Sequence, residues 1–202
     1  AQTHSNLAEA YLSLEDWQRA AESYRNVLTL YPDSAKPYFA ACSLYQEKLF
    51  AYSEAFELTK HWLQQHPDDI AAQANFAEAH FTTGRFDEAE QRLATLPTND
   101  ALRDNAVPLR ALQIATLYTL NKRSLISERM TALRKLIAGQ AKDFKVEWSF
   151  EGTKHFISND KRLTASRDWL LRLFTAFEGK ERDAILVALG EVESGLQTSS
   201  TR

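Results

Sequence analysis

The chain is poor in everything that would mark it as a stapled, membrane-bound or nucleic-acid-binding protein. Cys42 is the one cysteine among 202 residues, so no internal disulfide can form and stability must come from packing. Six glycines and five prolines are too few for a loop-rich chain. The abundant residues are instead the helix formers Ala, Leu, Glu, Gln, Lys and Arg. No apolar run approaches the roughly 20 residues a bilayer crossing needs, and no segment has the pattern of a secretory leader, so membrane insertion is not expected. Charge of one sign is missing too. The net charge is -3, with 5 basic and 9 acidic residues in 1–68, 9 and 8 in 69–139, and 10 and 10 in 140–202. Nucleic acid is therefore disfavoured as a partner. Seven basic residues between Arg103 and Lys135 face only Asp104 and Glu128, and they read as ordinary solvated helix surface.

Chemistry-bearing motifs are absent as well. The five histidines, His4, His61, His66, His80 and His155, are scattered, and none forms an i, i+4 pair with a third ligand nearby. There is no phosphate-cradling glycine loop, no G-x-S-x-G and no Cys-x-x-Cys. Paired acids such as Asp68-Asp69 and Glu88 with Glu90 fall in turns or on polar helix faces. No catalytic residue, metal ligand or cofactor is expected, and the chain does not read as an enzyme.

What is present is a rhythm. In Ala71 to Leu93 the apolar and small residues fall where two antiparallel helices joined by a tight turn need them. The same pattern begins earlier at a spacing of about 34 residues, which marks a stacked array. The first unit places Leu7, Ala8 and Tyr11 on one helix, Ala20, Tyr24 and Val27 on the next, and Pro32 at the end. The second carries Tyr38, Ala41, Cys42, Tyr45, Ala55, Trp62 and Pro67; it is one residue longer, and the extra residue is expected in the turn Glu47 to Tyr52. The third has Gln73, Phe76, Ala77, His80, Ala89 and Leu93, with Gly84 in the turn, and Pro97 cuts its second helix short. Alanines facing one another let helix axes approach to roughly 8–10 Å. Cys42 stands in such a small-residue slot, so it reads as a buried small hydrophobe.

These three copies resemble the tetratricopeptide repeat. The resemblance covers 1–97 well, 107–139 weakly and 164–196 faintly. It implies an all-α fold, a superhelix of stacked antiparallel helical hairpins, with units at 1–34, 35–69 and 70–97 and a degenerate hairpin at 101–139. In that fourth unit Ile114, Ala115 and Tyr118 match, but Ser127 stands where an alanine is expected. Within the connector 140–163, Phe144, Val146, Trp148 and Phe150 alternate with polar residues. That is strand period, giving a short β element near 144–151, although a helix would also place Phe144 and Trp148 on one face. A last hairpin at 164–197, built on Trp169, Leu170, Leu173, Phe174, Phe177, Ile185, Leu186, Leu189 and Val192, caps the stack, and 198–202 reads as a disordered tail.

A stack of this kind offers a concave groove lined by the first helix of each pair. The family's groove positions translate here to the candidate partner-binding residues Asn6, Glu9, Phe39, Ser43, Asn75, Glu78, Phe81 and Gln113. Asn6 and Asn75 share one repeat position, where an amide can both donate to and accept from an extended backbone. Phe39 and Phe81 are either groove pockets or core. The family's clamp for chaperone C-terminal carboxylates uses Lys, Asn and Arg at positions held here by Ser5, Glu9, Ala40, Ala71 and Asn75, so no such clamp is expected. The resemblance thus implies an interaction scaffold for a protein or peptide partner, within a longer protein. The alternatives are a regulatory helical domain of a multidomain enzyme, and a homodimer formed through the aromatic region Phe144 to Phe177. A soluble cytoplasmic chain is expected, with a processed periplasmic or secreted form as the other possibility.

Overall fold

The computed structural model describes residues 2–97 and 102–198; for 2–5, 103, 197 and 198 it describes the backbone alone. The described residues form eleven α-helices and no strand. They fall into two compact units. Unit 1 comprises 1–83 with 151–153, and unit 2 comprises 84–150 with 154–202.

Unit 1 contains α1 (Gln2–Ser13), α2 (Trp17–Leu30), α3 (Ala35–Ser43), α4 (Tyr52–Gln65) and α5 (Ile70–Thr82). The small residues do what their spacing implies: Ala8, Ala20, Ala41, Ala55, Ala72 and Ala77 are all buried to 1% exposure or less. Starts and stops are local chemistry. Asp16 caps α2 by accepting from the Arg19 amide at 3.2 Å, and Asp69 caps α5 by accepting from the Ala72 amide at 3.0 Å. Between helices, Tyr38 stacks on Trp62 with centroids 4.4 Å apart and planes 8° from parallel.

The extra residue of the second copy is not confined to its turn. The chain leaves α3 as a π turn, Leu44–Lys48, in which the Leu49 amide reaches back five residues to the Leu44 carbonyl at 2.9 Å. One residue is absorbed within the helix, as π turns do, a few positions before the expected place. Leu44, Tyr45, Gln46 and Glu47 are buried as a result.

Unit 2 contains α6 (Phe86–Thr95), α7 (Ala106–Thr119, entered through a 3₁₀ turn at Arg103–Asn105) and α8 (Arg123–Ala138). It also holds α9 (Glu151–Asn159) from Lys154 onward, then α10 (Arg167–Thr175) and α11 (Arg182–Thr198). Pro97 sets the end of α6, because the residue before a proline is pushed out of helix: Leu96 has ψ 146°. In α8 the buried stripe is Ile126, Met130, Leu133 and Ile137, while Ser127 faces solvent and Leu125 is exposed. The missing alanine therefore reflects a face shifted by one residue. The last hairpin lies on the fourth, with Trp169 of α10 stacked on Tyr118 of α7 at 4.0 Å and Arg134 of α8 paired with Glu193 of α11 at 3.0 Å.

Residues 144–151 adopt neither alternative read from the sequence. The chain runs irregularly to Phe150 with no strand partner, and helix begins at Glu151. The alternation itself is physical, since Phe144, Val146 and Trp148 are half-buried and Lys145, Glu147 and Ser149 exposed. Phe150 ends the run against Phe174, centroids 4.7 Å apart. One apolar edge packs on helices, so no ladder is needed. The disordered tail expected at 198–202 lies outside the described residues, apart from Thr198, which closes α11.

Candidate partner-binding face

Three helices of unit 1, α1, α3 and α5, hold the first-helix positions of the three copies. Side chains tie them to one another. Lys36 of α3 reaches Glu9 of α1, Nζ to Oε1 at 2.8 Å. Asn75 of α5 donates from Nδ2 to Cys42 Sγ of α3 at 3.9 Å. The Glu9 carboxyl is held below its usual range by the hydrogen bond and charge of Lys36, and Lys36 is raised in turn by Glu9.

The candidates divide by exposure. Asn6, Glu9 and Ser43 are open to solvent, and Phe39 is half-buried, edge-on to Tyr38 at 4.7 Å. Asn75 is half-buried. Glu78, expected on the groove wall, is buried at 5% exposure, and Phe81, at 0%, takes the core role of its two alternatives. Gln113, in unit 2, is also buried, accepting from Arg110 Nη1 at 3.2 Å. Below the open part lies a polar core. The Thr59 hydroxyl gives its proton to the Ala55 carbonyl at 2.8 Å, so the Cys42 thiol is the donor in their 3.4 Å contact. Burial pushes the Cys42 thiol up to about 11, which makes it inert at neutral pH. The Tyr38 phenol is raised well above its usual value, also by burial.

The deep part of the same wall is already filled. Glu47 and Glu78 meet the start of α9: Gly152 N–H donates to Glu47 Oε2 at 3.0 Å, and the Thr153 hydroxyl donates to Glu78 Oε1 at 2.6 Å. Tyr52 donates to the Gly152 carbonyl at 2.9 Å, and Lys48 pairs with Glu151 at 3.3 Å. Thr82 adds a hydroxyl bond to Gln46 Oε1 at 3.3 Å. Burial, with the nearby charges of Glu47 and Glu78, raises the Tyr52 phenol above its ordinary range. The repeat positions bring Glu78 to this wall but do not single out Tyr52, which opens α4, or Gly152 and Thr153, which come from far along the chain. No periodic signal links them.

Three members of the basic run in unit 2 have neighbours of their own. Lys122 pairs with Glu90 at 2.5 Å, Arg129 lies 3.7 Å from Glu128, and Arg123 sits over the Tyr118 ring at 4.7 Å. Among the described residues no cluster of three or more His, Cys, Asp or Glu is placed to hold a metal, and no helix is long and apolar enough to cross a membrane.

Paired antiparallel helices with small residues at each crossing define an α-helical repeat protein, a class whose general work is protein–protein interaction. Residues 3–38 and 49–112 each match a model of the tetratricopeptide repeat, and the chain is a tetratricopeptide repeat protein. No curated protein matches it.

Proposed function

We propose that the chain is an interaction scaffold within a longer protein and that the open part of its inner wall, Asn6, Glu9, Lys36, Phe39 and Ser43, binds an extended segment of a protein partner. The observation that carries this reading is the half-buried ring of Phe39, one helical turn along α3 from the exposed Lys36 and Ser43, with Lys36 paired to Glu9 of α1. An aromatic edge flanked by amide and hydroxyl groups suits a peptide that presents an apolar side chain to Phe39 and backbone groups to Asn6 and Ser43. Glu9 opposes a free carboxylate at this place, so the wall has no use for the chaperone tail the family is known to clamp.

Photo-crosslinking tests the reading. A benzophenone side chain at Ser43 should trap the partner, one at Thr29 should not, and Phe39→Asp should abolish the adduct. Equal adducts from Ser43 and Thr29 would refute it.

A further inference from the structure

We infer that the wall formed by Gln46, Glu47 and Glu78 is a recognition site for a helix start of sequence Glu-Gly-Thr, and that the chain holds its own Glu151–Thr153 there as an exchangeable internal ligand. The inference stands apart from the reading above, which concerns Asn6 to Ser43, and holds whether or not an outside partner binds there.

A helix leaves its first amides without intrahelical acceptors. The N-cap of α9 is Phe150, whose side chain cannot cap. The acceptor comes instead from Glu47, 105 residues away in sequence, through its 3.0 Å bond from the Gly152 amide. A carboxylate at this end also meets the positive pole of the helix dipole. Glu78 accepts the Thr153 hydroxyl in a short charge-assisted bond, 2.6 Å, and Thr153 is wholly buried. Tyr52 takes the Gly152 carbonyl and Lys48 takes Glu151. Each of the three residues is thus read by at least one polar group.

Shape adds selectivity. A Cβ at position 152 would collide with the Gln46 carbonyl, which is backbone and cannot swing away. Glycine is required there, a hydroxyl after it reaches Glu78, and an acid before it reaches the exposed Lys48. The site owes its form to the π turn, which carries both Gln46 and Glu47, and π turns gather at functional places. Within Glu151–Thr153 no apolar side chain is larger than a methyl, so the contacts these three residues make with the wall are chiefly polar. A second peptide with the same three residues would regain every one of them.

The test uses the full chain and a labelled peptide with the sequence of residues 148–159, read by fluorescence anisotropy. Gly152→Val in the chain should expel the internal segment and bind the peptide at least tenfold more tightly than wild type does. Adding Glu47→Gln should remove that gain, and a peptide carrying valine at its glycine should not bind. Equal binding to wild type and Gly152→Val, or to neither, would overturn the inference. Hydrogen exchange of the unaltered chain provides a readout that does not depend on that variant folding. The Gly152 amide should be protected, and should exchange faster in Glu47→Gln or with excess peptide. A Gly152 amide that is unprotected, or indifferent to both, would be equally fatal.

Discussion

Trp62 and Asp69 are joined by a hydrogen bond from the indole N–H to Oδ2 at 2.9 Å, while Oδ1 of the same carboxylate caps α5 through the Ala72 amide at 3.0 Å. One side chain fixes the end of one hairpin to the start of the next. Asp69→Ala should therefore lose a cap and leave a buried indole N–H unsatisfied, costing about 2–3 kcal/mol. Asp69→Asn, which can still accept at one oxygen, should cost about half as much. Urea unfolding followed by helix circular dichroism measures both, and equal losses would show that the two bonds are not separable.

Every inter-helix turn within a hairpin carries one residue with left-handed φ: Glu15 (56°), Phe50 (51°), Gly84 (72°), Asn121 (57°) and Gly179 (62°). Only two of the five are glycine. The conformation costs an ordinary residue about 1–2 kcal/mol, and Glu15 is exposed with no packing to lose. Glu15→Gly should raise stability by about 0.5–1 kcal/mol once the added freedom of the unfolded chain is subtracted. A lower thermal midpoint would contradict this.

The same turns explain what could be read from the sequence and what could not. The alanine slots at Ala8, Ala20, Ala41, Ala55, Ala77 and Ala89 were legible because close helix approach tolerates almost nothing else. The left-handed φ at Glu15, Phe50 and Asn121 was not, since those residues do not advertise it even where the turn itself could be placed. The strand period of Phe144 to Phe150 was real but misleading. Alternation records which side of an extended chain is covered, and helices can supply that cover as well as a neighbouring strand. For the candidate site, Asn6, Glu9 and Ser43 are exposed, and Phe39 is half-buried. Glu78 is buried, because Thr153, from far along the chain, meets it there and periodicity cannot register that contact.

Cys42 offers a direct probe of unit 1. Its thiol is buried, and burial pushes its pKa up to about 11. At pH 8 the thiolate that reacts with disulfide reagents should be about one part in a thousand of the thiol, before any loss of access is counted. The folded chain should give no colour with Ellman's reagent and one equivalent on unfolding in urea. Prompt reaction in the absence of denaturant would show that the slot between α3 and α4 opens.

Trp169 tests whether the aromatic region serves packing or self-association. Its ring is stacked on Tyr118 at 4.0 Å, its N–H donates to the Val192 carbonyl at 3.1 Å, and it is 7% exposed. A residue so placed has little surface to offer a second copy. Trp169→Ala should cost about 3–5 kcal/mol as a core deletion. Trp169→Phe, which keeps the stack and loses the hydrogen bond, should cost about 1–2 kcal/mol. Light scattering on the folded Phe variant should give the same mass as wild type. A change of mass without loss of stability would instead place Trp169 at an interface.

Acid should loosen unit 2 at one identifiable point. Asp160 accepts from the Arg162 amide at 2.8 Å, capping the 3₁₀ turn at Lys161–Leu163, and takes the Arg162 guanidinium on both oxygens, Nε at 3.0 Å and Nη2 at 2.6 Å. Arg162 in turn donates to the Gly84 carbonyl at 3.2 Å and lies over Phe86 at 5.3 Å, so the pair orders the turn before α6. The hydrogen bonds and charge of Arg162 hold the Asp160 carboxyl below its ordinary value. A carboxyl whose pKa is lower in the folded state stabilises that state above the unfolded pKa, and the contribution is lost as pH falls through the folded value. Wild type should therefore exceed Asp160→Asn by a constant margin from about pH 7 down to about pH 4, near the ordinary aspartate value. Below that the two should converge. Urea midpoints at several pH values measure the margin, and one that persisted undiminished to about pH 2 would mean that the cap, which asparagine can also supply in part, and not the charge, is what Asp160 contributes.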